Sequence, residues 1–102
     1  DESITFTNNS SETIKSLKVW GANGSLTSSD TKFWLWENIS PNAKINHKFN
    51  IKRDIEIREG SVNYEAVFAD NDTIRGGSYF TNWQMFKSED ISIAKDKFEV
   101  SI

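Results

Sequence analysis

The chain of 102 residues has no cysteine, one proline, one methionine and one histidine. Without cysteine there can be no disulfide, thiolate metal site or cysteine nucleophile. One histidine leaves a zinc site only carboxylates for its remaining ligands, a poor donor set for that ion. No apolar run approaches the ~18–20 residues that a membrane-spanning helix needs. A clustered basic surface is missing too: the net charge is −3, whereas phosphate backbones are held by concentrated Lys and Arg. Lys44, Lys48 and Lys52 share one strand face and read as a solvated face. No cofactor or metal is expected, and nucleic acid is not an expected partner.

What the chain does have is rings and turn formers. Aromatic residues make up 13%, and each can bury roughly 150–250 Å², which offsets a hydrophobic content of only 36%. Disordered chains lack such residues, and the length suits a single domain over residues 1–102. The chain starts at Asp1 with no signal-like segment. It reads as a mature or trimmed chain whose targeting segment, if it had one, has been removed.

Alternation of apolar and polar residues recurs along the chain and predicts short strands. The first is Ile4–Thr7, followed by the turn formers Asn8-Asn9-Ser10-Ser11. Thr13 to Trp20 follows, with Ile14 out of phase with Leu17, which calls for a bulge near Lys15-Ser16. Residues 21–30 read as a loop anchored by Leu26, and Thr31 to Ile39 as a strand. Ser40-Pro41-Asn42 is a turn. From Ala43 the alternation is clean, with Ile45, His47, Phe49 and Ile51 facing in and the parity carried on to Ile55 and Ile57 across a bend at Arg53-Asp54. Val62, Tyr64, Ala66 and Phe68 form another inward face, leading to a hairpin turn at Asp70-Asn71-Asp72. Gly76-Gly77 kinks or ends the next strand. Residues 81–88 form a short helical turn or an aromatic-bearing loop, and a last hairpin turns at Lys95-Asp96. Seven to nine short strands without an amphipathic helix predict an all-β, antiparallel, two-sheet β-sandwich.

The stretch Phe33-Trp34-Leu35-Trp36 poses the main functional question. Successive strand residues point to opposite faces, so Phe33 and Leu35 share one apolar face and Trp34 and Trp36 the other. Either both faces are covered, with the indoles between the sheets and Phe33 and Leu35 under a loop such as 21–30, or one face is shown to a partner. Trp20, Trp34, Trp36, Trp83, Tyr79 and Phe80 are together too many large rings for the core of so small a chain. They are the candidate partner-binding residues, since Trp and Tyr anchor protein interfaces. The same rings could stack on oligosaccharide, the alternative reading. A third is a structural domain of a cell-surface assembly, because exposed sheet edges favour strand addition and self-association.

Catalytic chemistry finds little support. His47 lies on a predicted inward face, and no Ser or Thr sits in a nucleophile elbow. It reads as a core histidine bonded to backbone. Glu37 shares its parity with Phe33, Leu35 and Ile39, and its pKa would rise if it were buried there. Asp70-Asn71-Asp72-Thr73 spaces oxygens as calcium loops do but lacks the glycine and closing glutamate of an EF-hand.

The opening strand running into Asn8-Asn9-Ser10-Ser11 and Ile14, and Ile39-Ser40-Pro41-Asn42 leading into a strand, carry a resemblance that covers most of the chain. The Asp70-Asn71-Asp72 hairpin, Gly77-Ser78-Tyr79-Phe80-Thr81-Asn82 and the final hairpin extend it. Together they resemble small exported bacterial Ig-like β-sandwich proteins, often lipoproteins. The resemblance implies that fold and an exported location (periplasmic, lipid-anchored or secreted), and it implies no activity. Some chains of this type are immunity or inhibitor proteins that cap a toxin or hydrolase, which makes a protein the expected partner. The family pattern favours glycine where this chain has Trp83.

Overall fold

The computed structural model describes residues 2–23, 32–85 and 88–101. They form eight strands: β1 (Glu2–Asn8), β2 (Ile14–Ala22), β3 (Phe33–Ile39), β4 (Lys44–Phe49), β5 (Gly60–Phe68), β6 (Thr73–Phe80), β7 (Ser88–Ile93) and β8 (Phe98–Ser101). One four-stranded sheet runs β4-β1-β7-β8 and the other β3-β2-β5-β6. The second is antiparallel throughout, but β1 pairs with β7 in parallel, so the first sheet is mixed. This corrects the wholly antiparallel expectation. Alternation reports which side chains share a face and carries no information on the direction of the neighbouring strand.

One core joins the two sheets. Ile4, Phe6, Phe49, Ile91 and Ile93 from the first and Ile14, Leu17, Val19, Val62, Tyr64, Phe68 and Phe80 from the second are each at most 1% exposed. Phe6 meets Tyr64 edge to face, with centroids 5.6 Å apart, and each such fully buried side chain contributes about 1.5–3 kcal/mol of transfer free energy. A buried polar chain crosses the same space. Ser78 Oγ donates to Glu89 Oε1 at 2.9 Å, so the Tyr64 hydroxyl, 3.2 Å away, donates to Ser78. Burial pushes the Tyr64 pKa up, which keeps that proton in place.

Local chemistry sets the element ends. The register of β2 on β5 shifts between Ile14 and Ser16, which is the expected bulge. At Ser40-Pro41-Asn42 the Ala43 N–H bonds to Ser40 O at 3.0 Å and Asn42 has φ 69°, a type II turn with proline leading. The hairpins at 70–72 and 94–97 form as expected. Past Phe49 the parity expected to run to Ile57 across a bend at Arg53-Asp54 keeps Ile55 and Ile57 buried, but the backbone between is not a bent strand. Asn50 instead caps a single π-helical turn, Ile51–Ile55, by accepting from Arg53 N, and Glu56 N bonds back to Ile51 O at 2.8 Å. Ile51 and Ile55 are both buried. A spacing of four satisfies both helical and strand periods, which is why the sequence read as strand there.

Gly76 and Gly77 do not end β6, which runs through to Phe80 in unbroken register with β5. At Gly76 a Cβ would lie 2.7 Å from the Tyr64 ring and 3.0 Å from Phe98; the missing side chain is the space those rings occupy. Gly60 is tighter, because its Cβ would run into the Ala22 carbonyl oxygen at the end of the β2–β5 ladder. Gly60→Ala should therefore lower stability by about 2 kcal/mol, as overpacking does. A shift in the urea midpoint at unchanged m-value checks this.

Candidate partner-binding face

Pairing of β3 with β2 decides which side of the Phe33–Trp36 stretch faces water. Trp34 lies opposite Val19 and Trp36 opposite Leu17, while Phe33 lies opposite Trp20 and Leu35 opposite Lys18. Val19 and Leu17 are wholly buried, so the two indoles point to the core side. Trp34 sits 4.4 Å from the His47 ring and 5.7 Å from Phe49, and Trp36 sits 5.0 Å from His47. Both are half-buried and fill the space between edge strands β3 and β4. Phe33 and Leu35 are each 50% exposed on the opposite side. Of the loop 21–30 expected to cover them, Gly21 and Ala22 belong to β2, and residues 24–30 with the Leu26 anchor lie outside the described residues.

The other candidate residues separate as well. Phe80 is 1% exposed and belongs to the core, which removes it from any exposed binding surface. Tyr79, adjacent in sequence and so of opposite parity, is 66% exposed. Trp20 is half-buried on the outer side of β2. Trp83 lies apart, in a tight turn where Thr81 and Gln84 exchange backbone hydrogen bonds and Asn82 and Trp83 have φ 51° and 66°. That is a type I′ geometry, whose second central position suits glycine. A bulky ring therefore sits in a left-handed conformation, packed against the core with Lys52 Nζ 5.7 Å from its centre. The loop reading of 81–85 holds; Phe86 lies outside the described residues.

Rows across the outer face of the β3-β2-β5-β6 sheet follow from the register. Phe33, Trp20, Asn63 and Gly77 form one, and Leu35, Lys18, Glu65 and Arg75 the next. Lys18 Nζ lies 4.6 Å from the Phe33 ring centre and 5.4 Å from that of Trp20, so its charge is held over the two rings. Arg75 Nε donates to Glu65 Oε2 at 2.6 Å, and Asn63 Oδ1 accepts from Ser61 at 2.7 Å. Between Trp20 and Arg75 an open depression of about 290 Å³ is lined by Asn63, Tyr64 and Gly76. Lys18, Asn63, Glu65 and Arg75 were not candidates from sequence. Their outward parity was readable, but their adjacency depends on strand order.

The residues considered for chemistry are accounted for otherwise. Glu37 is exposed beside Phe33 and Leu35 in parity, but Ile39 is buried: Asn38 takes φ 55° and shifts the phase by one. His47 is 4% exposed, stacked on Phe49 at 4.8 Å, and its Nε2 has no hydrogen-bond partner among the described residues. The expected backbone bond is therefore not made at that atom. Burial lowers its pKa to about 4, with Asp54 opposing and Lys32 reinforcing the shift. In the Asp70-Asn71-Asp72 turn a cation is already supplied by the chain. Lys95 Nζ lies 2.6 Å from Asp70, 2.6 Å from Glu12 and 3.0 Å from Asp72. Hydrogen bonds to these carboxylates raise the Lys95 pKa, and Lys95 lowers that of Asp70. No cluster of three metal-ligating side chains occurs among the described residues, nor a helix long and apolar enough to cross a membrane.

No family model matches the chain, and no curated protein matches it. Among solved structures it is similar to the NMR structure of the protein from Eubacterium rectale, at 12% identity and a TM-score of 0.58. The match covers 99% of this chain and 86% of that one. At that identity the likeness concerns the fold alone.

Proposed function

We propose that this domain is an Ig-like β-sandwich that acts as a non-enzymatic binding domain, and that a protein partner docks on the outer face of its β3-β2-β5-β6 sheet. The observation that carries the reading is the continuous surface of Phe33, Trp20 and Leu35, flanked by Lys18 and the Arg75–Glu65 pair. Apolar side chains grouped on one sheet face and rimmed by polar residues are the kind of patch that marks an interaction site. Aromatic anchors with an arginine at the border are the composition of interface centres. In this reading the anchors are Trp20, Phe33, Leu35 and Tyr79. Trp34 and Trp36 hold β3 in place from beneath. The partner class is a toxin or hydrolase that the domain caps, with the domain itself exported, as in the proteins the sequence resembles.

The test uses Phe33→Ser/Leu35→Ser, which removes exposed apolar area without touching the core. Titrated against a purified partner from the native source, the double variant should bind at least roughly tenfold more weakly, the loss of two anchors of about 1 kcal/mol each. Binding at wild-type strength would exclude this face.

A second reading, an oligosaccharide ligand, is favoured by the depression between Trp20 and Arg75 alone. There one indole could stack on a pyranose while the Asn63 amide and Arg75 guanidinium meet its hydroxyls. It requires a glycan to change the emission of Trp20 and the response to vanish in Trp20→Phe.

A further inference from the structure

The two sheets have four edge strands, β3, β6, β4 and β8, and they differ in how they are protected. Unpaired edges are usually blunted by charge, proline or irregularity. On β4, Lys44 and Lys48 point outward and are exposed. On β6 Arg75 does so, and on β8 Glu99. Phe33-Trp34-Leu35-Trp36 in β3 has no charge and no proline on either face. Its first charged residue after Lys32 is Glu37, where Asn38 then breaks the extended conformation. Among the described residues no strand pairs with β3 on the side away from β2.

We infer that β3 is a self-pairing edge, and that its occupant is a second copy of this chain bound antiparallel along Phe33–Trp36. Register follows from parity and charge. Opposed residues must share a face, which admits only arrangements where odd positions meet odd. Centring the two-fold axis on Trp34 sets Phe33 of each copy opposite Leu35 of the other, giving two apolar cross-strand pairs with no charge between them. Centring it on Leu35 would set each Phe33 opposite Glu37, and centring on Trp36 would set each Leu35 opposite Glu37. A symmetric pairing of β4 about Asn46, by contrast, would oppose Lys44 and Lys48. By this test the β3 edge is self-complementary in both pattern and charge, and the β4 edge is not. The result is one eight-stranded sheet whose outer face joins both Phe33–Trp20–Leu35 surfaces, an isologous dimer. The inference extends the proposed binding face but does not depend on an outside partner.

The experiment is sedimentation of the whole chain from micromolar to millimolar concentration, with residue-resolved amide exchange at both ends. The mass should double as concentration rises, and alternate amides within 33–37, those turned away from β2, should gain protection. Leu35→Lys should weaken the dimer roughly tenfold or more through its two symmetric pairs, whereas Trp20→Ala should leave the mass unchanged while weakening an outside partner. A monomeric mass throughout, a dimer undiminished in Leu35→Lys, or new protection confined to β4, β6 or β8 would each overturn the inference.

Discussion

Asn8→Ala should destabilise the domain by about 3 kcal/mol, although the residue is small, polar and followed by a turn. Asn8 is wholly buried. Its Nδ2 donates to Glu12 O at 2.9 Å and to Ile39 O at 3.0 Å, and its Oδ1 accepts from Ser10 N and Ser10 Oγ at 3.1 and 2.7 Å. One side chain thus ties the end of β1 to the turn entering β2 and to the last carbonyl of β3. Its own backbone bonds to Asn42 and Ala43 in the turn before β4. Each hydrogen bond is worth about 0.5–1.5 kcal/mol net, and a buried carbonyl left unpaired costs about 1–3 kcal/mol. Ile39 O would be in that position. Urea unfolding of Asn8→Ala against wild type checks the figure, and a loss below about 1 kcal/mol would contradict the role. Asn8→Asp should be no rescue at neutral pH, since a carboxylate facing two carbonyl oxygens has no proton to donate.

Stability should also fall by about 2–3 kcal/mol between pH 6.5 and pH 4 because of His47. Its imidazole is enclosed by Trp34, Trp36 and Phe49, and burial lowers its pKa to about 4. The unfolded chain takes up the proton near pH 6.5, the folded chain only near pH 4. In that window the unfolded state binds more protons, so stability is full above pH 6.5, is lost as pH falls, and stops changing through this group below about pH 4. Carboxylates titrate in the lower part of the same range, so the measurement is the difference between wild type and His47→Gln. That difference should diminish as pH falls from 6.5 to 4; a constant difference would mean that the imidazole titrates alike in both states.

Much of the fold was legible because its local signals are strong. The bulge at Lys15-Ser16, the Pro41 turn, the hairpin at 70–72 and the closing hairpin all came from residue chemistry acting over a few positions. The readings that changed depend on contacts distant in sequence or on local backbone geometry that alternation does not encode. The parallel β1–β7 pairing leaves no trace in alternation, and Ile51–Ile55 fits two periods at once. The phase shift between Glu37 and Ile39 rests on a single left-handed asparagine. Asn8 looked like a turn former and does accept from Ser10 as one, but its burial comes from β3 and β4 arriving beside it. The candidate site shows the same division. That Phe33 and Leu35 oppose Trp34 and Trp36 was plain from period two, whereas which pair faces water required knowing that β3 lies against Val19 and Leu17.

That choice of face underlies the proposed binding surface, and relaxation of side-chain protons by a soluble paramagnetic agent reads it directly. The protons of Phe33 and Leu35 should broaden strongly, while the indole protons of Trp34 and Trp36 that pack on His47 should be spared. Stronger broadening of the Trp34 and Trp36 indoles than of Phe33 and Leu35 would mean that β3 is turned over, and the outer-face account would fall with it.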